Sequence, residues 1–504
     1  MKQIFYSCCS LDHLLSGTQI NEAKKAVLEG HEVFFSYCNG VLSKCQVNST
    51  GNPLICKLCK KNSEYVLKQL PGNVNLLPLV NKYGRSISDL ELEFAFTSIP
   101  ELKQIKYKEV AVGYGALSYY ISCTRNHSPI INGEFKKFVY EIFLMSFDLI
   151  DQIQELIDSV RPNKIQLFNG RQFQTRPWMD LSVHNKIDFS CNEVKFDFVN
   201  NTGWKIVNFE NSLPHDLKTA YHRSLFTWNN SLLGEEEKLS LGRSFFEKRR
   251  KGVPAGDKVY TSNQDSSLPD GFDKTKRNIT IFNSSEDEFA ALGADFENNR
   301  MFESQLAGIR YILEQFVNDT DIVFYVRVHP NLIGIPYSYH TDIYLMASEF
   351  PNLKVIPADS KVSTYSLIDF SEKIIVFGST TGVEAAFWNK PVILLGASFY
   401  QYHNICYVPE DKTVIKDLIL EQLMPKDNKG AIIYGHYILD CSVLAREPEY
   451  VNINPPEIWL GKAKFKLHKR VLISSINWIN DLLSIALNKG ILDKFYLSKS
   501  KLLS

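Results

Sequence analysis

The chain has 504 residues, 44% hydrophobic and 22% charged, a soluble globular composition too long for one core of ordinary size, so two domains are expected. Its 56 Lys+Arg balance 56 Asp+Glu, and a neutral chain lacks the basic surface that phosphate backbones require, which excludes nucleic acid as the main partner. No run of about 18 apolar residues occurs, and "MKQIFYSCCSLDHLL" is polar where a signal peptide needs an apolar core, so a cytoplasmic protein without a membrane span is expected.

The first half opens with a predicted strand, "KQIFYSC", a helix, "TQINEAKKAVLEGH", and a second strand, "EVFFSYC". This β-α-β order predicts a parallel sheet. A cysteine-rich insertion over 38–60 follows, then a further strand, "KEVAVGY". A long helix from about Gly133 to Val160 leads into the strand "IQLF", which ends at "NGRQFQTRP". There Asn169-Gly170 predicts a sharp turn, with Arg171 and Arg176 at the sheet edge. The helix "PWMDLSVHN" and the strand "KIDFSC" come next. The segment 211–275 is irregular and is assigned as a linker after a first domain of 1–210.

The second half alternates more cleanly. "RNITIF", "DIVFYVRVHP", "LKVIP", "KIIVFG" and "VILLG" are predicted strands, with helices in "FESQLAGIRYILEQFV", "STYSLIDF" and the segment around Glu384. Near-continuous apolar strands between helices predict an open, doubly wound parallel sheet over 276–425, with a closing segment over 426–504. The fold class is therefore α/β with two Rossmann-like domains.

Ten cysteines in such a chain are expected to be reduced thiols. Cys38, Cys45, Cys56 and Cys59 are spaced C-x6-C-x10-C-x2-C. The closing C-x2-C is similar to a zinc knuckle, and soft thiolates suit tetrahedral zinc, which predicts a structural zinc site. Four thiolates would leave no open position for catalysis. The alternative is four buried free cysteines in one loop.

Ligands of open parallel sheets bind outside the carboxyl ends of the strands. In the second half Ser284 and Ser285 follow "ITIF", Arg327 and His329 close "FYVRVHP", and Ser379, Thr380, Thr381 and Gly382 follow "IIVFG". Hydroxyls, an imidazole and a guanidinium on one sheet edge suit a phosphorylated ligand. Ser379 is expected to cap the helix that follows, whose open N–H groups would bind phosphate, and Gly382 to let a ligand approach. Glu384 could accept hydrogen bonds from sugar hydroxyls. The alternatives are an ordinary cap at Ser379, packing at Gly382 and a dipole partner in Glu384.

"FNSSEDEF", "RVHPN" and "STYSLIDFSEKIIVFGSTTGVEAAFWNKPVILLG" resemble bacterial capsule and surface-polysaccharide biosynthesis proteins, glycosyltransferases of the GT-B fold. "CNG…C…CKLC" and "FNGRQFQTRP" resemble their amino-terminal half, so the resemblance covers most of residues 1–425. The His-Pro and later Ser/Thr pair is similar to the CMP-binding pattern of GT-B sialyl- and Kdo-transferases. UDP-sugar epimerases of the same fold carry a similar pattern.

The resemblance implies two domains facing a cleft. The second would hold a nucleotide sugar, with Arg327, His329, Ser379 and Thr380 on its phosphates. The first would hold a glycan acceptor near Asn169, Gly170 and Arg171. It also implies chemistry without a bound metal, so that side chains and helix ends stabilise the departing phosphate. Glu210 and Asp216 are the candidates for general base, by their position near the linker. Acceptors of this kind are lipid-linked. Residues 462–504 carry nine Lys/Arg against Asp481 and Asp493 around "VLISSINWINDLLSIAL", which suits a basic amphipathic helix on the inner-membrane surface. The alternative is a closing helix packed on the domains. The expected function is a glycosyltransferase of surface-polysaccharide assembly; a nucleotide-sugar epimerase and a non-catalytic assembly subunit are the alternatives.

Overall fold

The computed structural model describes residues 1–82, 84–196, 204–256, 259–440, 458–460 and 463–465. The basic helix expected within 466–504 lies outside the described residues. The chain divides into two compact units, one of Met1–Tyr119, Lys136–Asn192 and Val451–Ser504, the other of Tyr120–Phe135 and Glu193–Tyr450.

The first sheet contains β1 (Lys2–Ser7), β2 (Glu32–Tyr37), β3 (Asn75–Pro78), β4 (Lys164–Phe168), β5 (Asp188–Phe196) and β6 (Trp204–Glu210) in the order β3-β2-β1-β4-β5-β6. The pairings from β3 through β5 are parallel. The helix His13–Leu28 returns the chain from β1 to β2, and Phe5, Ile20, Ala23, Val33 and Phe35 form a buried cluster between helix and sheet. The expected turn after β4 is present: Asn169 and Gly170 have φ of 62° and 78°, and the Asn169 side chain accepts from the Arg171 N–H at 3.3 Å.

One expected strand is absent. "KEVAVGY" opens a helix, Val112–Thr124, and the strand beside β2 is Asn75–Pro78. A helix that is apolar on all sides has no 3.6-residue stripe, so its first turn resembles a buried strand. Gly113 fixes its position, because a Cβ there would stand 1.7 Å from the Leu102 carbonyl oxygen.

The second sheet is β7 (Arg277–Phe282), β8 (Ile322–Arg327), β9 (Leu353–Ile356), β10 (Lys373–Val376) and β11 (Val392–Leu394), in the order β11-β10-β7-β8-β9, all parallel. Ile279, Ile281, Phe324, Val326, Ile374 and Ile375 are wholly buried, as strands covered on both faces require. The strand order reverses between β7 and β10, the switch point at which such sheets open a crevice.

Residues 211–275 form no simple linker. They fold into the helices Leu217–Asn230 and Glu235–Arg250 and cluster with the second unit. The closing segment contributes the helix Lys429–Leu439 to the same unit. It packs on Glu235–Arg250 backbone to backbone: a Cβ at Gly242 would stand 2.3 Å from the Ile432 carbonyl oxygen, and one at Gly435 would stand 2.5 Å from that of Gly242.

Candidate functional site

A cleft of about 560 Å³ opens at the switch point of the second sheet. Phe282 and Asn283 reach it from β7, Arg327 and His329 from β8, and Ser379, Thr380 and Thr381 from β10. Three strand ends thus converge, with β7 contributing Phe282 and Asn283 and not the Ser284 and Ser285 named from the sequence. Glu384, Thr364 and Tyr365, together with Arg249, Tyr260, Thr261 and Gln264, complete the lining.

His329 is held in three ways. Its N–H donates to the Asn283 side chain at 2.7 Å, its Nδ1 accepts from the Asn331 N–H at 3.1 Å, and its ring meets Tyr260 edge-on at 5.2 Å. Arg327 is buried, and its guanidinium donates to the carbonyls of Pro357 and of Ser360, the latter at 2.9 Å. Burial lowers its pKa to about 10, which still leaves it cationic at neutral pH. Its Nε is buried without a hydrogen-bond partner, and so is the Nε2 of Gln264, whose Oε1 accepts from the Thr364 N–H at 2.7 Å. Both atoms are shut off from solvent and belong to residues of the cleft lining.

The turn after β10 differs from the expected cap. Thr380, not Ser379, is the residue before the helix Thr381–Phe387, and its side chain makes no capping bond. The Ser379 hydroxyl accepts from the Thr381 N–H at 3.3 Å, and the Gly382 N–H donates to the Ser379 carbonyl at 3.0 Å. Two N–H groups of the turn are therefore engaged internally. The helix has seven residues and only a small dipole, and the Ser379 hydroxyl also donates to the Thr381 hydroxyl at 3.2 Å.

Several residues named from the sequence have other tasks. A Cβ at Gly382 would stand 2.2 Å from the Tyr400 hydroxyl, which donates to the Ser379 carbonyl; this glycine makes room for Tyr400, not for a ligand. Glu384 lines the cleft, but its Oε1 accepts from Arg249 Nε at 3.1 Å and Nη2 at 3.0 Å, and its Oε2 from the Tyr365 hydroxyl. It ties three helices together rather than standing open.

Ser284 is absent from the cleft lining: its hydroxyl donates to the Phe377 carbonyl at 3.1 Å and accepts from Gln305 at 2.8 Å, which braces β7 against β10. Ser285 is absent too, since its hydroxyl donates to Asp287 at 2.6 Å and accepts from Arg125 at 2.8 Å. Asp216 caps the helix Leu217–Asn230 by accepting from the Thr219 N–H at 2.5 Å, and Glu210 is exposed at the end of β6. Neither lines the cleft. Asn169, Gly170 and Arg171 stand after β4 in the first unit, where the Arg171 carbonyl accepts from Arg176 at 3.2 Å.

The cysteines are grouped differently from the predicted set. Cys59 lies 3.7 Å from Cys9, which the spacing argument left out, while Cys56 accepts from Asn48 at 3.2 Å and Cys38 lies against the backbone of Leu42 and Gly40. Among the described residues no group of three or more His, Cys, Asp or Glu side chains is arranged to hold a metal ion. Nor, among them, is any helix long and apolar enough to cross a membrane.

The model of a family described as "Capsule polysaccharide biosynthesis protein" matches residues 295–413, which include Arg327, His329, Ser379–Thr381 and Glu384. No curated protein matches the chain. Among solved structures, the chain is similar to the Thermosulfurimonas dismutans KpsC beta Kdo 2,4 transferase, at 12% identity over 55% of this chain and 79% of that one, with a TM-score of 0.34. It is also similar to the spinosyn rhamnosyltransferase SpnG, at 10% identity over 86% and 95%, with a TM-score of 0.25. For the UDP-GlcNAc 2-epimerase of Neisseria meningitidis bound to UDP-GlcNAc, the values are 10%, 78%, 82% and 0.21.

Proposed function

We propose that this protein is a glycosyltransferase of capsule or lipopolysaccharide assembly that takes its sugar from a nucleotide donor bound in the cleft of the second unit. The observation that carries the reading is one crevice that brings together the buried guanidinium of Arg327, His329 and the hydroxyls of Ser379, Thr380 and Thr381. A cation among hydrogen-bonding groups suits an anion with several acceptors, and a nucleotide phosphate is such an anion. The family match over 295–413 spans two of the three strand ends and supports the same substrate class.

In the reaction an acceptor hydroxyl oxygen forms a bond to the anomeric carbon as the bond from that carbon to the donor phosphate breaks. The hydroxyl proton passes to a base, and the leaving phosphate gains negative charge. Arg327 acts as a buried cation beside that charge, and His329 and the hydroxyls donate to it. The glycan acceptor is lipid-linked in this reading, and no bound metal is required. The protein works in the cytoplasm at the inner-membrane surface.

Calorimetry with CMP, UDP and GDP tests the donor site. One of the three is expected to bind; failure of all three would reject the reading. Incubation with the matching nucleotide sugar alone separates the alternatives. An epimerase would release an epimer, whereas a transferase would give little beyond slow hydrolysis. Activity undiminished by EDTA is the expected result for metal-independent chemistry.

A further inference from the structure

Six of the cysteines line a single cavity in the first unit: Cys8, Cys9, Cys38, Cys45, Cys56 and Cys59. It lies near the carboxyl ends of β1 and β2 and is walled on one side by the helix Pro53–Leu67. Within it Cys9 and Cys59 face each other with sulfurs 3.7 Å apart, although 50 positions separate them in the chain. That separation is direct van der Waals contact between the two sulfurs, and a disulfide would need them to close to about 2 Å. Cys59 is half-buried and Cys9 is buried, so reagents reach the pair through Cys59.

The surroundings divide the roles. Cys59 is the more exposed of the two, with the Ser10 hydroxyl 3.4 Å from its sulfur, whereas Cys9 is buried. Cys59 is thus the sulfur that meets an external disulfide first, and Cys9 the neighbour that resolves.

We propose that Cys9 and Cys59 are a reversible disulfide site that closes by exchange with a low-molecular-weight disulfide. The Cys59 thiolate attacks one sulfur of the reagent, a mixed disulfide forms, and one small thiolate leaves. Cys9 then loses its proton and attacks the Cys59 sulfur, which releases the second small thiol. Two protein thiols are oxidised and one external disulfide is reduced to two thiols, so electrons and protons balance. The bond would tie the segment after β1 to the helix Pro53–Leu67.

The probe is oxidised glutathione in graded ratio with reduced glutathione, followed by acid quench, maleimide capping and peptide mapping by mass spectrometry. The expected product is a chain 2 Da lighter, with Cys9 and Cys59 joined. Cys56→Ser should form the same bond. Cys59→Ser should form no bond at Cys9, and Cys9→Ser should stop at a glutathione adduct on Cys59. Linkage of Cys9 to Cys45 or to Cys8, or six thiols that stay free at every ratio in the wild-type chain, would overturn the assignment. So would stoichiometric zinc or iron in the purified protein with these thiols protected from maleimide.

Discussion

Arg249 and Glu384 form a buried ion pair, Nη2 to Oε1 at 3.0 Å, between a helix of the segment first assigned as linker and the helix that follows β10. Both side chains are less than one-tenth exposed. The Tyr365 hydroxyl donates to the other carboxylate oxygen, and burial beside that charge pushes the phenol far up.

Breaking this pair from one side leaves a buried charge without compensation. Glu384→Ala is expected to destabilise the protein by about 3–5 kcal/mol. Arg249→Met with Glu384→Leu should recover much of that loss, because two apolar groups leave no charge behind. Urea unfolding of the single and double variants measures the difference. A single-variant loss under about 1 kcal/mol would mean the pair behaves as an exposed one.

Glu286 predicts a pH dependence. Burial, the main cause, pushes its carboxyl up to about 7 from 4.5, while the Gln305 N–H and Arg300, 3.6 Å away, pull it down. Between those two pH values the folded chain keeps a proton that the unfolded chain has released. The unfolded state then binds fewer protons, so stability falls as pH rises through that window. Glu286→Gln should match wild type near pH 4.5 and exceed it at pH 8, by on the order of 3 kcal/mol. Urea midpoints at the two pH values check the sign, and an advantage that grows toward acid would contradict it.

Gly382 and Tyr400 should be energetically coupled. Gly382→Ala brings a methyl to 2.2 Å from the Tyr400 hydroxyl and is expected to cost about 1–3 kcal/mol. Tyr400→Phe in the same chain removes the clashing oxygen and should relieve part of that loss. Additive effects in a double-mutant cycle would place the clash elsewhere.

His329→Ala should weaken nucleotide binding about tenfold, or about 1.4 kcal/mol, with little change in melting temperature. Its Nδ1 accepts from the Asn331 N–H in a short turn at the cleft edge. Ser379→Ala should act in the same direction. Unchanged affinity in both would move the phosphates off this edge.

The sheets and the strand-end residues were legible because the signal is local. "IIVFGSTTG" carries an apolar run, a glycine and hydroxyls in sequence, and the fold places them where that order implies. Side-chain direction was not legible: Ser284 and Ser285 also follow an apolar strand, yet one braces β10 and the other pairs with Asp287. Nor were partners at long range. Arg249 is 135 positions from Glu384, in a segment with no strand pattern, and no local feature marks it as the mate of a helix acid. Tyr260, Thr261 and Gln264 were hidden in the same way, since an irregular stretch resembles a linker until something is seen to pack against it. Cys9 was missed because spacing rules compare cysteines near each other in the chain, and its neighbour Cys59 is not one of them.

Gly242 stands two turns before Arg249 on one helix, where its main chain abuts that of the neighbouring helix at Gly435. The guanidinium is thus aimed by a spacer that neither ionises nor feels salt. Removal of the carboxylate would release the guanidinium without moving the rod that carries it. A single methyl at either glycine would act as a wedge, and by leverage would disturb the cleft wall while leaving every polar group in it chemically intact.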